Sequence, residues 1–182
     1  ATNLGIHLLN GFPVESLGPA GEDLQDIFLD NQLIIKSKKI IICTNALTNV
    51  LLPAPQVIPQ RGQVLVSAPI AGGIPERLKG NFHGDAGYLY YRNIGNDRLL
   101  LGGARNLDFQ GEQTDRWAEN PAITQHLTDY AIQVLGLKSE GLVWEQAWSG
   151  TMGFTPSGVP HLQALGTNRW LVAGMNGMGM AL

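Results

Sequence analysis

The stretch Val172-Ala173-Gly174-Met175-Asn176-Gly177-Met178-Gly179-Met180 decides how this chain is read. A short apolar strand runs into three spaced glycines, then into small residues that suit a helix start. Glycine lets backbone approach a ligand closely because no Cβ intervenes. A helix start presents N–H groups and partial positive charge. The combination suits an anion, or a ring that gains negative charge. Taken alone, it equally suits a tight strand-to-helix turn with no ligand.

Just upstream lies Trp148-Ser149-Gly150-Thr151-Met152-Gly153-Phe154-Thr155-Pro156-Ser157-Gly158-Val159-Pro160-His161-Leu162. Residues 155–158 form a Pro-led β-turn pattern. A strand that leaves a sheet and turns explains this segment without any ligand.

Further out, the first third reads as short strands. Residues 6–10 follow Gly5, which suits the C′ position of a helix. Residues 13–17 read as extended. Residues 26–29 and 33–36 flank Asp30-Asn31-Gln32, a hairpin-turn composition. The β-branched run over 38–44 suits a strand buried on both faces, with Cys43 as a core residue. After Pro53-Ala54-Pro55 the pattern changes, and residues 53–61 are the expected boundary between two units. Residues 63–67 alternate, and a Gly- and Pro-rich loop covers 68–87. Residues 88–92 and 98–102 read as a hairpin through Gly95-Asn96-Asp97. Period-2 alternation there puts Tyr88, Tyr90 and Arg92 on one face and Tyr91 on the other.

One helix is clear. Asn120 is a good N-cap and Pro121 suits the first helical position. Ile123, Leu127, Tyr130, Ala131, Val134 and Leu135 share a face, and Gly136 ends the helix. Strands follow at 142–149 and 170–173. The expected fold class is α+β, with a mixed, mostly antiparallel sheet and a helix packed on it.

Composition narrows the function. The chain has 182 residues and a formal net charge of −3, so nucleic acid is a poor partner. The longest apolar run, over 40–43, cannot span a bilayer. No secretory signal pattern opens the sequence. A single cysteine excludes an internal disulfide and a cysteine zinc cluster, and makes a reducing, cytoplasmic setting the default expectation. His7, His83, His126 and His161 show no metal-ligand spacing, so no metal is expected. No Ser-His-Asp order and no distinctive carboxylate pair stands out, and no catalytic side chain is singled out.

The segments gain meaning together. The order W-x-G-x-M-x-x-T-P-x-G-x-P, then a strand ending V-A-G-x-N-G-x-G, resembles the flavin-dependent D-amino-acid oxidase superfamily, which includes glycine and sarcosine oxidases. Ile40-Ile41-Ile42-Cys43-Thr44-Asn45-Ala46 looks like that family's buried strand and turn near the flavin. Pro59-Gln60-Arg61-Gly62-Gln63 looks like its entry into the substrate domain. Tyr88-Leu89-Tyr90-Tyr91-Arg92 with Leu99-Leu100-Leu101-Gly102-Gly103 looks like its hairpin of active-site aromatics. No one motif is specific; five in this order are.

The resemblance implies non-covalent FAD and a small amine or amino acid as substrate. It implies that residues 1–52 are part of an FAD-binding domain, 53–150 the substrate domain, and 151–182 a return to the FAD-binding domain. Gly174, Asn176, Gly177 and Gly179 would meet the flavin through backbone N–H groups, with Asn45 and Arg61 nearby. Val14 matches a strand that contacts the adenine, or is an ordinary strand valine. Arg61 supports the flavin site or only a local carboxylate. Tyr88, Tyr90 and Arg92 line the substrate pocket, or the tyrosines simply pack across strands.

Met152 departs from the family, whose amino-acid oxidases often carry an arginine here that clamps the substrate carboxylate. Arg92 or Arg105 takes that role, or the substrate lacks the carboxylate. Ser157 stands where Asp is common, and Gly177 and Met178 replace bulkier or polar residues of relatives.

The family's G-x-G-x-x-G turn is not found in this sequence. The chain begins Ala1-Thr2-Asn3 and stops at Ala181-Leu182, where a helical pattern starts. Both ends read as cuts within a longer protein, with ordinary processing as the alternative. A C-terminal portion is expected to be inactive alone, without bound FAD, and to self-associate through exposed strand edges. A flavin-free binding module, or a subunit whose partner supplies the nucleotide site, is the competing reading.

Overall fold

Strand and helix signals in the sequence translate into an α+β chain whose sheets are mostly antiparallel, as predicted. The structure is a computed structural model that describes residues 4–179, with the side chains of residues 31 and 139 set aside. The expected helix start at 181–182 and the residues at 1–3 lie outside the described residues. The chain divides into two compact units. One comprises the residues up to Ile58 together with those from Gly153 onward; the other is Pro59–Met152.

In the first unit, β1 (Val14–Leu17), β2 (Gln25–Leu29) and β3 (Ile34–Ser37) form an antiparallel meander. A single turn of 3-10 helix, Asp30–Gln32, joins β2 to β3 where the polar turn residues were expected. A second sheet has the order β10 (His161–Ala164), β11 (Arg169–Ala173), β4 (Ile40–Ile42). β11 runs antiparallel to β10 and parallel to β4. Ile40, Ile42, Val57, Leu171 and Ala173 form the core here. A short helix α1 (Thr48–Leu51) follows β4 after a 3-10 turn at Asn45–Leu47.

Arg169 links the two sheets of this unit. Its side chain is buried, donates from Nε to Gln25 Oε1 at 3.0 Å, and from Nη2 to Gly18 O at 2.7 Å. Gln25 in turn donates to Asn168 O at 3.2 Å. Burial pushes the Arg169 pKa down, because the charged form loses water.

The second unit is a five-stranded sheet, order β6 (Asn81–Gly84), β7 (Leu89–Ile94), β8 (Arg98–Gly103), β5 (Ile58–Ser67), β9 (Trp144–Phe154). Helix α2 (Pro121–Gln133) covers one face. Its start matches the expectation: Asn120 Oδ1 accepts from Ala122 N at 3.1 Å, with Pro121 at the first position. Such a cap contributes about 1 kcal/mol. Gly136 at φ +66° ends the helical run in a left-handed conformation that glycine adopts without penalty. Ile123, Leu127, Ala131 and Leu135 pack with Leu65, Leu89, Leu99 and Leu101 into one core.

Several expectations fail, each for a physical reason. Residues 6–10 form no strand; their side chains are all exposed, so no buried face holds them extended. Ile41 is 66% exposed, so β4 is buried on one face only. Cys43 lies past the end of β4 and is exposed, not a core residue. Val134 is 63% exposed: it is the C-cap residue past the last residue of α2, Gln133, and does not join the buried face of Ile123, Leu127 and Ala131. The expected loop over 68–87 contains β6, whose sequence Asn-Phe-His-Gly has no apolar alternation and which is a strand only through pairing with β7. Tyr88 precedes β7, closing a 3-10 turn with helical backbone angles, so it is outside the alternation that holds Tyr90 and Arg92. No helix of the described residues is long and apolar enough to cross a membrane.

Candidate functional site

The glycine segment leaves β11 and is held by two asparagine side chains. Asn45 Oδ1 accepts from Gly174 N at 3.0 Å and from Met175 N at 3.2 Å. Asn176 Oδ1 accepts from Thr155 N at 2.9 Å, while its Nδ2 donates to Gly174 O at 2.7 Å. Asn176 N donates to Gly153 O at 2.9 Å, and Met178 N to Met175 O at 2.8 Å. Three segments of the first unit, around residues 45, 153–155 and 174–178, are thereby tied together.

Glycine is required where these segments meet. A Cβ on Gly153 would stand 2.6 Å from Asn45 Oδ1 and 2.9 Å from Ala46 N. A Cβ on Gly174 would collide with Thr155 Cγ2, and Gly174 itself sits at φ +73°. The backbone then turns through two further left-handed residues, Asn176 at φ +51° and Gly177 at φ +78°.

The segment's donors divide into two sets. The N–H groups of Gly174, Met175, Asn176 and Met178 are spent inside the fold. Among the described residues, those of Gly177 and Gly179 donate to no protein acceptor, and both residues are exposed. Unpaired backbone N–H groups at an exposed turn are free to meet an acceptor from outside the chain. His161 lies alongside, its Nε2 3.3 Å from Gln56 O.

In the second unit, β7 sorts its side chains by alternation. Leu89 and Tyr91 face α2 and the core. Tyr90 and Arg92 face the opposite side of the sheet. His83, paired with Tyr90 across β6 and β7, has its ring 6.3 Å from the Tyr90 ring. An open depression of about 220 Å³ is lined by Asn81, His83, Tyr90, Arg92 and Leu100, among others. The Tyr90 ring lies over Gly102, where a Cβ would meet two ring carbons at 2.7 Å. Burial pushes the Tyr90 hydroxyl pKa up, so the phenol stays protonated and can donate.

Met152 belongs to this same sheet face. Gln63 points to α2, donating to Thr124 Oγ1, so its neighbour Gly62 points away. A Cβ on Gly62 would lie 3.1 Å from Met152 Cε. β9 is three strand spacings from β7, about 14 Å across the sheet at ordinary strand separation. Tyr90 and Arg92 therefore stand at one side of a face floored by Gly102 and Gly62, and Met152 at the other.

Tyr88 is placed differently. Its ring packs edge-on against Phe109 with centroids 5.5 Å apart, and the Arg105 guanidinium lies 5.1 Å from the Tyr88 ring centre and 5.5 Å from that of Phe109. Arg105 Nη1 also approaches Gln60 Oε1 at 3.4 Å.

Arg61 spends its guanidinium on a carboxylate. Its Nε and Nη2 donate to the two oxygens of Glu112 at 2.8 and 2.7 Å, and Glu112 is fully buried. Asn120 Nδ2 adds a third bond to Glu112 at 2.9 Å. Burial works against the Glu112 charge, but hydrogen bonds from Arg61 and Asn120 outweigh it and hold its pKa below the usual carboxylate range. The local-carboxylate alternative for Arg61 thus has a specific partner. Val14 opens β1 opposite Leu29 and is exposed. Among the described residues, no group of three His, Cys, Asp or Glu side chains gathers as a metal site.

The bond between Asn45 and Gly174 joins residues 129 apart, and nothing in local composition announces it. The Gly153 contact is likewise invisible until the fold is formed. Only the co-occurrence of Asn45, Gly153 and Gly174 in the ordered motifs hinted at a shared place.

Comparison with known proteins agrees with this architecture. L-proline dehydrogenase from P. horikoshii superposes with a TM-score of 0.71 at 16% identity, over 98% of this chain and 48% of its own. Glycine oxidase from Geobacillus kaustophilus gives 0.70 at 16%, over 92% and 44%. Iminodiacetate oxidase from Chelativorans sp. BNC1 gives 0.70 at 15%, over 91% and 44%. The chain thus spans about half the length of these solved structures. No curated protein matches it by sequence. The family model described as FAD dependent oxidoreductase matches residues 1–182, and with the ordered motifs and the fold now in place, the chain belongs to that family.

Proposed function

We propose that the protein oxidises the C–N bond of an amine or amino acid with FAD as the hydride acceptor. FAD held against the 174–179 segment would supply a hydride acceptor for the carbon bearing the amine, and water would hydrolyse the resulting imine. The unit built from the two chain ends belongs to the FAD-binding domain, and Pro59–Met152 is the substrate domain.

One observation carries the reading: in the 174–179 segment, the N–H groups of the exposed Gly177 and Gly179 meet no acceptor among the described residues, while the rest are consumed in holding it. That division fits the pyrimidine edge of a flavin, which gathers negative charge on reduction. Fixed donors stabilise such charge without reorganising as it forms. Gly177 and Gly179 are the direct contacts, whereas Gly174, Asn176 and Asn45 shape the loop. Val14 contacts the adenine side, and Arg61 braces the substrate domain through Glu112.

Tyr90 and Arg92 form the polar end of the substrate face. The protonated Tyr90 hydroxyl donates to the substrate, and the exposed Arg92 offers a guanidinium to a carboxylate. Met152 supplies apolar contact where a clamp would otherwise stand. Tyr88 is held with Arg105 and Phe109 as a packed support.

The test is a titration of the purified protein, as its gene encodes it, with FAD. Yellow holoprotein with quenched flavin fluorescence is the expected outcome. A colourless protein that leaves added FAD free in solution sinks the enzyme reading in favour of a flavin-free binding module.

A further inference from the structure

We infer that Asn45 is a positioning residue for the flavin-facing loop and not itself a flavin ligand; this rests on the proposed flavin site. Its side-chain oxygen is fully engaged, accepting from Gly174 N at 3.0 Å and Met175 N at 3.2 Å. An amide oxygen has two lone pairs, and both are taken. Asn45 sits at φ +45°, a left-handed conformation that asparagine tolerates better than most side chains. The same residue type thus satisfies the backbone and supplies the acceptor.

The surroundings leave that oxygen one place to be. A Cβ on Gly153 would come within 2.6 Å of it, so the glycine clears its seat. Thr48 Oγ1 donates to Asn45 O at 2.7 Å, which fixes the backbone from which the side chain extends. Asn176 completes the arrangement by accepting from Thr155 N at 2.9 Å and donating to Gly174 O at 2.7 Å. The consequence is directional. With Gly174 and Met175 pinned at the end of β11, the turn through Asn176 leaves the N–H groups of the exposed Gly177 and Gly179 without an acceptor among the described residues.

The chemistry separates positioning from contact. Asn45→Asp keeps an oxygen acceptor for both N–H groups while replacing the Nδ2 donor and adding a negative charge. Asn45→Gly and Asn45→Ala both delete the acceptor, but glycine relieves the left-handed backbone and alanine strains it. An effect shared by Gly and Ala and absent in Asp belongs to the acceptor.

The experiment measures amide hydrogen exchange in the protein without flavin, then visible absorption and sulfite affinity with FAD bound. The expected result is at least tenfold faster exchange at Gly174 and Met175 in Asn45→Gly and Asn45→Ala, with Leu101 as protected as in the unaltered protein. Sulfite affinity falls about tenfold in both, and Asn45→Asp keeps the original exchange rates at Gly174 and Met175. Unchanged exchange at Gly174 and Met175 in the Gly variant overturns the inference. So does exchange at Gly174 and Met175 raised as much by Asp as by Gly. Should the unaltered protein take up no FAD, the proposed function fails, and the exchange arm alone decides whether Asn45 holds the loop. Should Asn45→Ala not fold, the comparison of Gly with Asp decides.

Discussion

Tyr90 lies across Gly102 on the open face of the five-stranded sheet, where a Cβ would stand 2.7 Å from two of its ring carbons and 2.8 Å from Gln63 O. The aromatic can occupy that place only because its neighbour on β8 has no side chain. Gly102→Ala must therefore push the ring aside or bend the backbone. Overpacking of this kind costs about 1–3 kcal/mol. Thermal unfolding should show that loss, and, on the proposed role of the ring in positioning substrate, KM should rise more than kcat falls.

The Arg61–Glu112 pair predicts a pH dependence. The Glu112 pKa is depressed in the folded state relative to the unfolded chain. Its contribution is therefore present above the unfolded carboxylate pKa and lost as pH falls through the lower, folded value. Urea unfolding from neutral pH into the acid range should show a falling midpoint in the unaltered protein. Glu112→Gln should flatten part of that fall. At neutral pH the substitution leaves Arg61 without its buried counter-charge, at a cost of about 3–5 kcal/mol.

Met152 should tune substrate choice. Met152→Arg places a guanidinium on the face that carries Tyr90 and Arg92. The gain from a bidentate carboxylate contact is about 1.5–3 kcal/mol. The ratio of kcat/KM for an amino acid over the amine lacking its carboxylate should rise at least tenfold. Arg92→Met should lower the same ratio in the parent protein.

The exposed face of the β10-β11-β4 sheet predicts that the 182-residue chain associates. Ile41 is 66% and Leu162 73% exposed, and with Trp170 and Val172 they border a depression of about 470 Å³. Contiguous apolar surface of this kind seeks cover. Light scattering of that chain should show mass rising with concentration. Ile41→Lys with Leu162→Lys should keep it monomeric.

What the sequence disclosed follows from how local each signal is. Helix α2 was legible because Asn120, Pro121 and Gly136 mark its ends within sixteen residues of one another. The β7–β8 hairpin was legible because its turn lies between its own strands. β6 and β10 were not, since Asn81-Phe82-His83-Gly84 and His161-Leu162-Gln163-Ala164 become strands only against partners. Cys43 and Ile41 misled because a β-branched run shows strand propensity but not which face is covered. At the candidate site, the ordered motifs drew attention to Asn45 and the glycines, yet not to their division of labour. Whether an N–H is spent or spare depends on contacts across 129 residues, such as Asn45 to Gly174.

C–N oxidation is probed most directly by the anaerobic absorbance of the FAD-loaded protein, as its gene encodes it, during titration with amines and amino acids. At least one such compound should bleach the visible absorption of the flavin, with release of the corresponding carbonyl product. A flavin that stays oxidised throughout a broad panel of primary and secondary amines and of amino acids of both hands, while dithionite still reduces it, would contradict the assignment of C–N oxidation to this protein.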